Sequence, residues 1–466
     1  MSSTRQADEF RFVDYRINSD QSSIDFNYST DDFDGNKIAF SETLDLNGLI
    51  IPAGLRQDTE LHSILQSLHI ALGLNYYKPF IPKKIVTPYK LDNRAVEFWQ
   101  SVYRNGLGEF CYLNNIDPGL IGDFNASTIS DSSQTIMPNT GTADMHVRVV
   151  TGIGGGKDSL VAVEVLKEMP SIIQAGFICE SVSTNNLPRR KVADKTRLAT
   201  TIFTRVPDQK LDEIRGSGNA YRGHTPASVI IAWAGILCCK LSNARYFIVA
   251  NENSSNEANV RWKGRDINHQ WTKTLEFERL LNSRLERQGI YIGYFSIVRP
   301  FNELLISKLF AEKGVEYFST FFSCNQGSSK KTGLWCGKCA KCASSTLLLS
   351  PFMSVGKLTS IVGRNMLNDP NLTSMFTDLL GLGEVKPFDC VCTYNEALVI
   401  VKLLSAKDGY KDLPVVKALA NSIDLEGIDW GEKLDKVYKI NASAIPEPFH
   451  AKVHALSHNL VSQRIF

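Results

Sequence analysis

The apolar positions of the first sixty residues alternate with polar ones. They are Phe10 and Phe12, then Ile24, Phe26 and Tyr28, then Leu44 and Leu46. Successive side chains of a strand point to opposite faces, so this alternation is typical of half-buried strands. We therefore expect the chain to begin with a small antiparallel meander.

Apolar residues at helical spacing follow the meander in two segments. Residues 61–73 read LHSILQSLHIALG and residues 95–106 read AVEFWQSVYRNG, so each segment ends at a glycine. Glycine often terminates a helix because it adopts the left-handed conformation without strain. The pattern predicts helices that end at Gly73 and Gly106. Residues 124–143 are rich in Ser, Thr and Asn, which is typical of a linker.

Beyond residue 143, short β-rich runs alternate with helical stretches. The runs occupy residues 147–153, 174–180, 200–206, 244–251 and 292–298. The helical stretches between them begin near Ser159, His224, Thr272 and Phe301. This alternation predicts an α/β fold in which helices cover both faces of a parallel sheet. Mostly helical patterning follows Cys342.

These patterns divide the chain into four regions. We expect an N-terminal α+β domain with its linker at 1–143, an α/β domain at 144–323, a cysteine-rich segment at 324–353 and a mostly helical region at 354–466.

Composition narrows the classes of partner. The 51 basic and 49 acidic residues give a net charge of +2, without the basic excess of a dedicated nucleic-acid binder. The chain has no apolar run long enough to span a membrane, and its first ten residues do not resemble a signal peptide. We expect a cytoplasmic protein that binds neither nucleic acid nor membrane. The sequence does not indicate its oligomeric state.

A glycine turn follows the first strand of the α/β domain. Residues 147–159 read VRVVTGIGGGKDS, with a helical pattern directly after them. A strand, a glycine turn and a helix together expose backbone N–H groups at the positive end of the helix, where phosphates bind. Lys157 stands where a P-loop or a dinucleotide motif would need a small residue, so the turn belongs to neither class.

Residues 154–159, GGGKDS, resemble the SGGxDS signature of the PP-loop ATP pyrophosphatases, which split ATP between its α and β phosphates to adenylate a substrate. The residues that this resemblance implies in ATP binding are Gly154, Gly155, Gly156, Lys157, Asp158 and Ser159. Lys157 would face the charge of pyrophosphate, and Asp158 would lie near Mg²⁺. Gly154 replaces the first serine of the signature, so backbone amides would have to substitute for its hydroxyl.

A cluster of cysteines follows the α/β domain. Its members are Cys324, Cys336, Cys339 and Cys342. Four thiolates can close a tetrahedron around Zn²⁺, and such a closed site is structural. An iron–sulfur cluster uses similar ligands and stays an alternative. The same arrangement after a PP-loop domain resembles 7-cyano-7-deazaguanine synthase, whereas Cys390 and Cys392 lie too far along the chain to be assigned by spacing.

Several further segments resemble one enzyme family. They are LNYYKPFIP and YRNGLGEF in the N-terminal region, then residues 221–230, 250–279, 298–310 and 335–353. Across residues 10–355 the chain resembles the UDP-N-acetylmuramoyl-L-alanyl-L-glutamate epimerases of bacterial peptidoglycan synthesis. The resemblance implies ATP- and Mg²⁺-dependent inversion of the terminal L-glutamate of a nucleotide-linked dipeptide, through a carboxyl adenylate with release of AMP and pyrophosphate.

Inversion needs an acid and a base on opposite faces of the α-carbon. The candidates that would lie at the carboxyl edge of the sheet are His224, His269, Glu252 and Glu257. The candidates for holding substrate phosphates or carboxylates are Asn251, Arg261, Lys263 and Arg265. Each of these residues also has a structural interpretation, as a helix cap, a buried histidine or a solvated charge.

Other functions stay open at this point. A PP-loop paired with zinc also fits an ATP-dependent ligase that forms an amide or nitrile on a carboxylated deazapurine, and such a ligase would require ammonia. A tRNA-modifying thiolase or lysidine-type synthase would need a basic RNA-binding face, which the near-neutral charge disfavours. A nucleotide-binding module whose loop is inactive at Gly154 is the non-catalytic alternative.

Overall fold

The computed structural model describes residues 4–125, 146–184, 186–326, 334–383, 385–423, 427–441 and 443–464. The strands are β1 (Glu9–Ile17), β2 (Ser23–Asp31), β3 (Lys37–Asp45), β4 (Lys84–Val86), β5 (Asp123–Phe124), β6 (Val147–Gly152), β7 (Ile172–Ser181), β8 (Thr200–Val206), β9 (Tyr246–Val249), β10 (Val260–Trp262), β11 (Arg265–Ile267) and β12 (Gly293–Ser296).

The helices before the cysteine cluster are α1 (Thr59–Tyr77), α2 (Asn93–Gly106), α3 (Gly108–Leu113), α4 (Lys157–Lys167), α5 (Leu187–Thr196), α6 (Lys210–Ser217), α7 (Ala227–Ser242), α8 (Leu275–Arg287) and α9 (Glu303–Lys313). Those after it are α10 (Ala340–Leu349), α11 (Val355–Val362), α12 (Thr373–Leu379), α13 (Tyr394–Ala406), α14 (Pro414–Ser422), α15 (Trp430–Tyr438) and α16 (Glu447–Ser462).

One sheet joins ten strands in the order β12-β9-β6-β7-β8-β3-β2-β1-β4-β5. Its half from β12 to β8 is parallel. The antiparallel meander β1-β2-β3 joins that half through an antiparallel pairing of β3 with β8. The α/β fold and the N-terminal meander predicted from the sequence are therefore confirmed, and a mostly helical C-terminal part follows them.

The sheet separates two apolar clusters. Neighbouring residues of β6 divide between them, since Val149 packs into one cluster and Val150 into the other. The first cluster includes α4, α9 and the C-terminal helices, whereas the second includes α1, α2 and α7. Burial on both faces explains why β9 consists of apolar residues throughout. In the part of the chain that the structure describes, no helix has the length and apolar character needed to cross a bilayer.

Gly73 does not end the first helix. α1 continues past it to Tyr77. A Cβ atom on Gly73 would lie 2.4 Å from Cε1 of Phe12, so this glycine allows the helix to approach β1 closely. The predicted end at Gly73 is wrong, because a packing glycine and a terminating glycine look alike in sequence. The predicted end of the second helix at Gly106 is confirmed.

Most of the expected linker at 124–143 lies outside the described residues, although Phe124 belongs to β5. The four regions drawn from the sequence stay a prediction.

The strand order places a crevice between β6 and β9. After β6 the chain adds β7 on one side of that strand, and β9 later pairs on the other side. Loops that leave the carboxyl ends of two such strands diverge, which opens a ligand site between them. The glycine turn follows β6, and residues 251–257 follow β9.

A buried guanidinium fastens the loops at this crevice. The side chains of Arg299 and Glu278 are both 0% exposed, and Arg299 Nη2 lies 3.0 Å from Glu278 Oε2. Arg299 also donates hydrogen bonds to the main-chain oxygens of Glu252, at 2.9 Å, and Lys273, at 2.6 Å. One side chain therefore connects α8 with the segments before and after the β10–β11 hairpin.

Arg299→Met should lower the free energy of unfolding by about 3–5 kcal/mol, because it leaves Glu278 buried without its cation. Chemical denaturation measures the change. Arg94→Met is the control, since Arg94 and its partner Glu97 are 61% and 67% exposed and such a pair contributes less than about 1 kcal/mol. Equal effects of the two substitutions on the free energy of unfolding would contradict a stabilising role for the contacts of Arg299.

Candidate functional site

The glycine turn closes tightly against the segment before the cysteine cluster. Gly155 has φ +93°, and a Cβ atom there would lie 2.5 Å from the ring of Phe322. The Phe322 N–H donates to the Gly155 oxygen at 3.0 Å. Among the described residues, no side chain caps α4 at Gly156. The amino end of α4 is therefore available to an anion.

Lys157 lies under the turn with its side chain 4% exposed. Its Nζ is 2.5 Å from Asp158 Oδ1 and 3.0 Å from Glu303 Oε2. Burial opposes the charge of Lys157, but Asp158 and Glu303 outweigh that effect and raise its pKa. The ammonium faces two carboxylates here, and its expected contact with pyrophosphate stays a prediction. The side chain of Asp158 is 27% exposed, so it can also reach a bound cation.

The residues after β9 form the opposite side of the crevice. Asn251 and Glu252 are both buried, and Asn251 Nδ2 donates to the Tyr294 hydroxyl at 3.3 Å. Burial raises the pKa of Glu252, the charge of Asp158 raises it further, and Lys273 opposes both effects. Glu252 therefore lies within the electrostatic reach of the glycine turn.

Two histidines and a carboxylate from distant segments meet in one cluster. The rings of His224 and His269 have their centroids 4.3 Å apart. His269 Nδ1 donates to Glu109 Oε2, and His224 Nδ1 lies 3.6 Å from the same oxygen. The sequence predicted both histidines as site residues, and the structure brings them together.

The two rings differ in charge near neutral pH. Burial, aided by the charge of His269, lowers the pKa of His224 to about 3. Burial also opposes protonation of His269, but hydrogen bonds with Cys390 and Glu109 raise its pKa to about 9. Paired groups whose pKa values move apart are typical of acid–base sites.

Lys78 fixes the main chain around His224. Its Nζ donates to the oxygen of Gly223, to that of His224 at 3.1 Å and to Thr225 Oγ1 at 2.6 Å. Burial lowers the pKa of Lys78 to about 7. The helix α1, at whose end Lys78 lies, therefore sets the position of a histidine that is far away in the chain.

Cys390 completes the cluster from the C-terminal region. Its Sγ accepts a hydrogen bond from Lys273 Nζ at 3.0 Å, and the ring of His269 also bonds to it. Burial would raise the pKa of this thiol, but the charges of Lys273 and Lys341 and the contact with His269 lower it well below its usual value. Lys273 also interacts electrostatically with Glu252 and Asp158, so the cysteine lies in the same charged site as the glycine turn.

The other predicted residues lie outside this cluster. Glu257 Oε1 accepts from Lys386 Nζ at 2.7 Å and from the Tyr394 N–H at 3.2 Å, which attaches the loop to α13. The basic candidates lie on the β10–β11 hairpin, all of them exposed to solvent, at Arg261, Lys263 and Arg265. Trp262 between them packs against Tyr112, with ring centroids 5.6 Å apart.

Sequence reasoning missed several charged residues of the site, namely Lys78, Glu109, Lys273, Glu303, Lys341 and Cys390. All of them except Cys390 stand in the segments that carry the family resemblance. Membership of those segments was the available signal for these residues. No spacing rule connects Cys390 with His269, since they meet only through the fold.

The four clustered cysteines approach one another as metal ligands do. The sulfur atoms of Cys324 and Cys339 are 3.8 Å apart, as are those of Cys336 and Cys342, and Cys339 and Cys342 are separated by 3.5 Å. Zinc–sulfur bonds of about 2.3 Å in a tetrahedron require sulfur separations of about 3.8 Å. All four sulfur atoms lie within 4.8 Å of one another, so they can hold one tetrahedral ion.

The fold and this site define a doubly wound α/β protein with a charged crevice at the carboxyl ends of its parallel strands. The model of the MurL N-terminal domain matches residues 1–297, and that of the MurL C-terminal domain matches residues 320–431. The chain therefore belongs to the MurL family.

Three curated relatives agree with this membership. A protein of Salinispora tropica is 31% identical over 431 residues, which cover 90% of each chain. One of Micromonospora sp. is 31% identical over 90% of this chain and 92% of its own, and one of Xanthomonas oryzae pv. oryzae is 30% identical over 82% and 83%. Each of the three relatives is named UDP-N-acetyl-alpha-D-muramoyl-L-alanyl-L-glutamate epimerase.

Metal analysis of the purified protein should find about one zinc per chain, because four thiolates close a tetrahedral site. Cys336→Ser should lose that zinc. Cys179→Ser, which changes a cysteine of β7 outside the cluster, should keep it. Iron with acid-labile sulfide in place of zinc would contradict the expectation and favour a cluster.

Proposed function

We propose that this protein inverts the terminal L-glutamate of UDP-N-acetylmuramoyl-L-alanyl-L-glutamate to D-glutamate in peptidoglycan precursor synthesis, in an ATP-dependent reaction. The observation that carries the proposal is the match to both MurL domains, together with the names of relatives that are 30–31% identical over 82–90% of this chain. The glycine turn at the crevice between β6 and β9 supports the role of ATP. We expect the reaction to take place in the cytoplasm.

Activation of the glutamyl α-carboxyl group explains the need for ATP. Removal of the α-hydrogen beside a free carboxylate would add a second negative charge in conjugation with the carboxylate and give a dianion. A carboxyl adenylate is ester-like, so its enolate carries one charge fewer at that position. Hydrolysis after reprotonation releases AMP and the inverted dipeptide, and the reaction requires no pyridoxal phosphate.

The glycine turn and the start of α4 are suited to hold the leaving pyrophosphate. The amino end of α4 is uncapped among the described residues, and Gly155 adopts a conformation that side chains disfavour. Asp158 would bind Mg²⁺, which would neutralise phosphate charge when bound. Lys157, held by Asp158 and Glu303, would add a fixed positive charge beneath the turn.

The remaining proposed roles belong to neighbouring segments. We propose that the four-cysteine cluster holds a structural zinc beside the turn, because Phe322 and Cys324 both lie in the segment that packs on Gly155. The exposed basic residues of the β10–β11 hairpin would contact the diphosphate or a carboxylate of the substrate.

With ATP, Mg²⁺ and the L-glutamyl substrate, the purified protein should form the D-glutamyl product and release AMP and pyrophosphate. Chiral chromatography of the hydrolysed glutamate measures the inversion. The reaction should proceed without ammonia, which separates it from an amide- or nitrile-forming ligase. Continued turnover of ATP with the glutamate still in the L form would contradict the proposal.

Asp158→Ala should lower pyrophosphate release by about 100-fold or more, because a charged group that meets transferring phosphates contributes effects of this size. Asp212→Ala is the matched control, since that carboxylate is 76% exposed on α6 and pairs with Arg215. Circular dichroism shows whether both variants stay folded. Full activity of a folded Asp158→Ala protein would show that the turn is not the phosphate site.

A further inference from the structure

Cys390 is held in a built environment. Its thiol contacts Lys273 Nζ at 3.0 Å and the ring of His269, whose Nδ1 bonds to Glu109. Asn259 connects the segment of His269 with the segment of Cys390. Its Oδ1 accepts from the His269 N–H, and its Nδ2 donates to the oxygen of Pro387, both at 2.8 Å. The thiol is therefore the end of a carboxylate–imidazole–thiol series assembled from three distant parts of the chain.

Two of the predicted acid–base residues, Glu257 and His269, are already engaged. Glu257 is bonded to Lys386 and to the main chain of α13. His269 has Glu109 and Cys390 as partners, and the raised pKa of about 9 keeps it protonated at neutral pH. A general base must instead be unprotonated at the working pH.

The thiol of Cys390 meets this requirement for a general base. The residue Cys390 is half-buried, whereas Cys392 is fully buried. The adjacent ammonium of Lys273 and the cationic His269 favour the thiolate, which is the form that accepts a proton. Lys273 is also an electrostatic neighbour of Asp158 and Glu252 at the crevice.

We propose that Cys390 transfers the proton at the glutamyl α-carbon on one face of the activated substrate, an inference that rests on the proposed function. The thiolate takes the α-hydrogen as a proton, so the Cα–H bond breaks and an S–H bond forms. The electron pair of the broken bond moves into the adjacent activated carbonyl and gives an enolate. A second group protonates the opposite face of the α-carbon, and the sulfur loses its proton to solvent before the next turnover. In the reverse sense the same thiol would donate the proton.

The test measures pyrophosphate release and inversion of the glutamate in the same reaction, carried out in deuterated water. Cys390→Ala and Cys390→Ser should release pyrophosphate within about 10-fold of the wild-type rate while inversion falls by about 100-fold or more, the usual contribution of a general acid or base. Retained L-glutamate without deuterium would place Cys390 on the face from which the hydrogen leaves. Retained L-glutamate with deuterium would place it on the opposite face.

Cys392→Ala is the matched control. It should change the rates of pyrophosphate release and of inversion by no more than about 3-fold, because this residue is not the proposed general acid or base. This cysteine lies two residues further on, is 0% exposed, and its N–H donates to Ser344 Oγ at 3.0 Å. Inversion by the Cys390 variants at the wild-type rate would overturn the inference. A parallel fall of inversion and pyrophosphate release would also overturn it, because Cys390 would then act on adenylation or on folding.

Alkylation of the wild-type protein decides the matter if both Cys390 variants fail to fold. Iodoacetamide should modify Cys390 before Cys392, as shown by peptide mass spectrometry, and should abolish inversion with pyrophosphate release retained. Complete modification of Cys390 with inversion intact would overturn the inference. Inversion by the wild type without pyrophosphate release would instead refute the adenylate, and the loss of inversion in the Cys390 variants would still test the cysteine.

Discussion

The buried guanidinium of Arg299 is the contact on which the geometry of the site depends. It leaves the loop after β12, pairs with Glu278 of α8, and holds the main-chain oxygens of Glu252 and Lys273. A charge with 0% exposure is stable only where partners surround it, so these segments must come together for the protein to fold. Glu252 faces the glycine turn and Lys273 faces Cys390, and one side chain therefore sets the spacing between the two halves of the site.

The charges at the crevice are numerous but balanced. Lys157 lies between Asp158 and Glu303, and Lys273 lies beside Cys390. Buried side chains such as these stay ionised only because oppositely charged partners lie next to them. A phosphate ester that entered the crevice would disturb the balance, since it would compete with these carboxylates for the ammonium groups. The protein thus has fixed, oriented charges after β6 and β9, which the proposed adenylation requires.

Much of the fold could be predicted from the sequence because the relevant signals are local. Alternation predicted the meander, short apolar runs predicted the parallel strands, and β8 forms over residues 200–206 as expected. Gly73 was misread because its role depends on Phe12, which a pattern within α1 does not reveal. The glycine turn could also be predicted from the sequence, because its strand, turn and helix follow one another directly in the chain.

Only half of the histidine cluster could be predicted from the sequence. The sequence predicts His224 and His269 at the carboxyl edge of the sheet, and the structure brings them together. Cys390 and Glu109 were not chosen, because each reaches His269 only through contacts between distant segments. Glu257 had the same sequence context as Glu252, yet Lys386 draws it towards α13. Residues that a motif places can be predicted from sequence, whereas residues that long-range packing places require the structure.

Transfer of oxygen from the substrate to AMP tests the central claim most directly. The glutamyl α-carboxylate can be labelled with ¹⁸O, and the AMP formed during turnover can be analysed by mass spectrometry. If the carboxylate attacks the α-phosphorus of ATP and water later cleaves the acyl bond, the AMP must contain ¹⁸O from the substrate. AMP without the label, or formation of ADP and phosphate in its place, would contradict activation of the substrate as an adenylate.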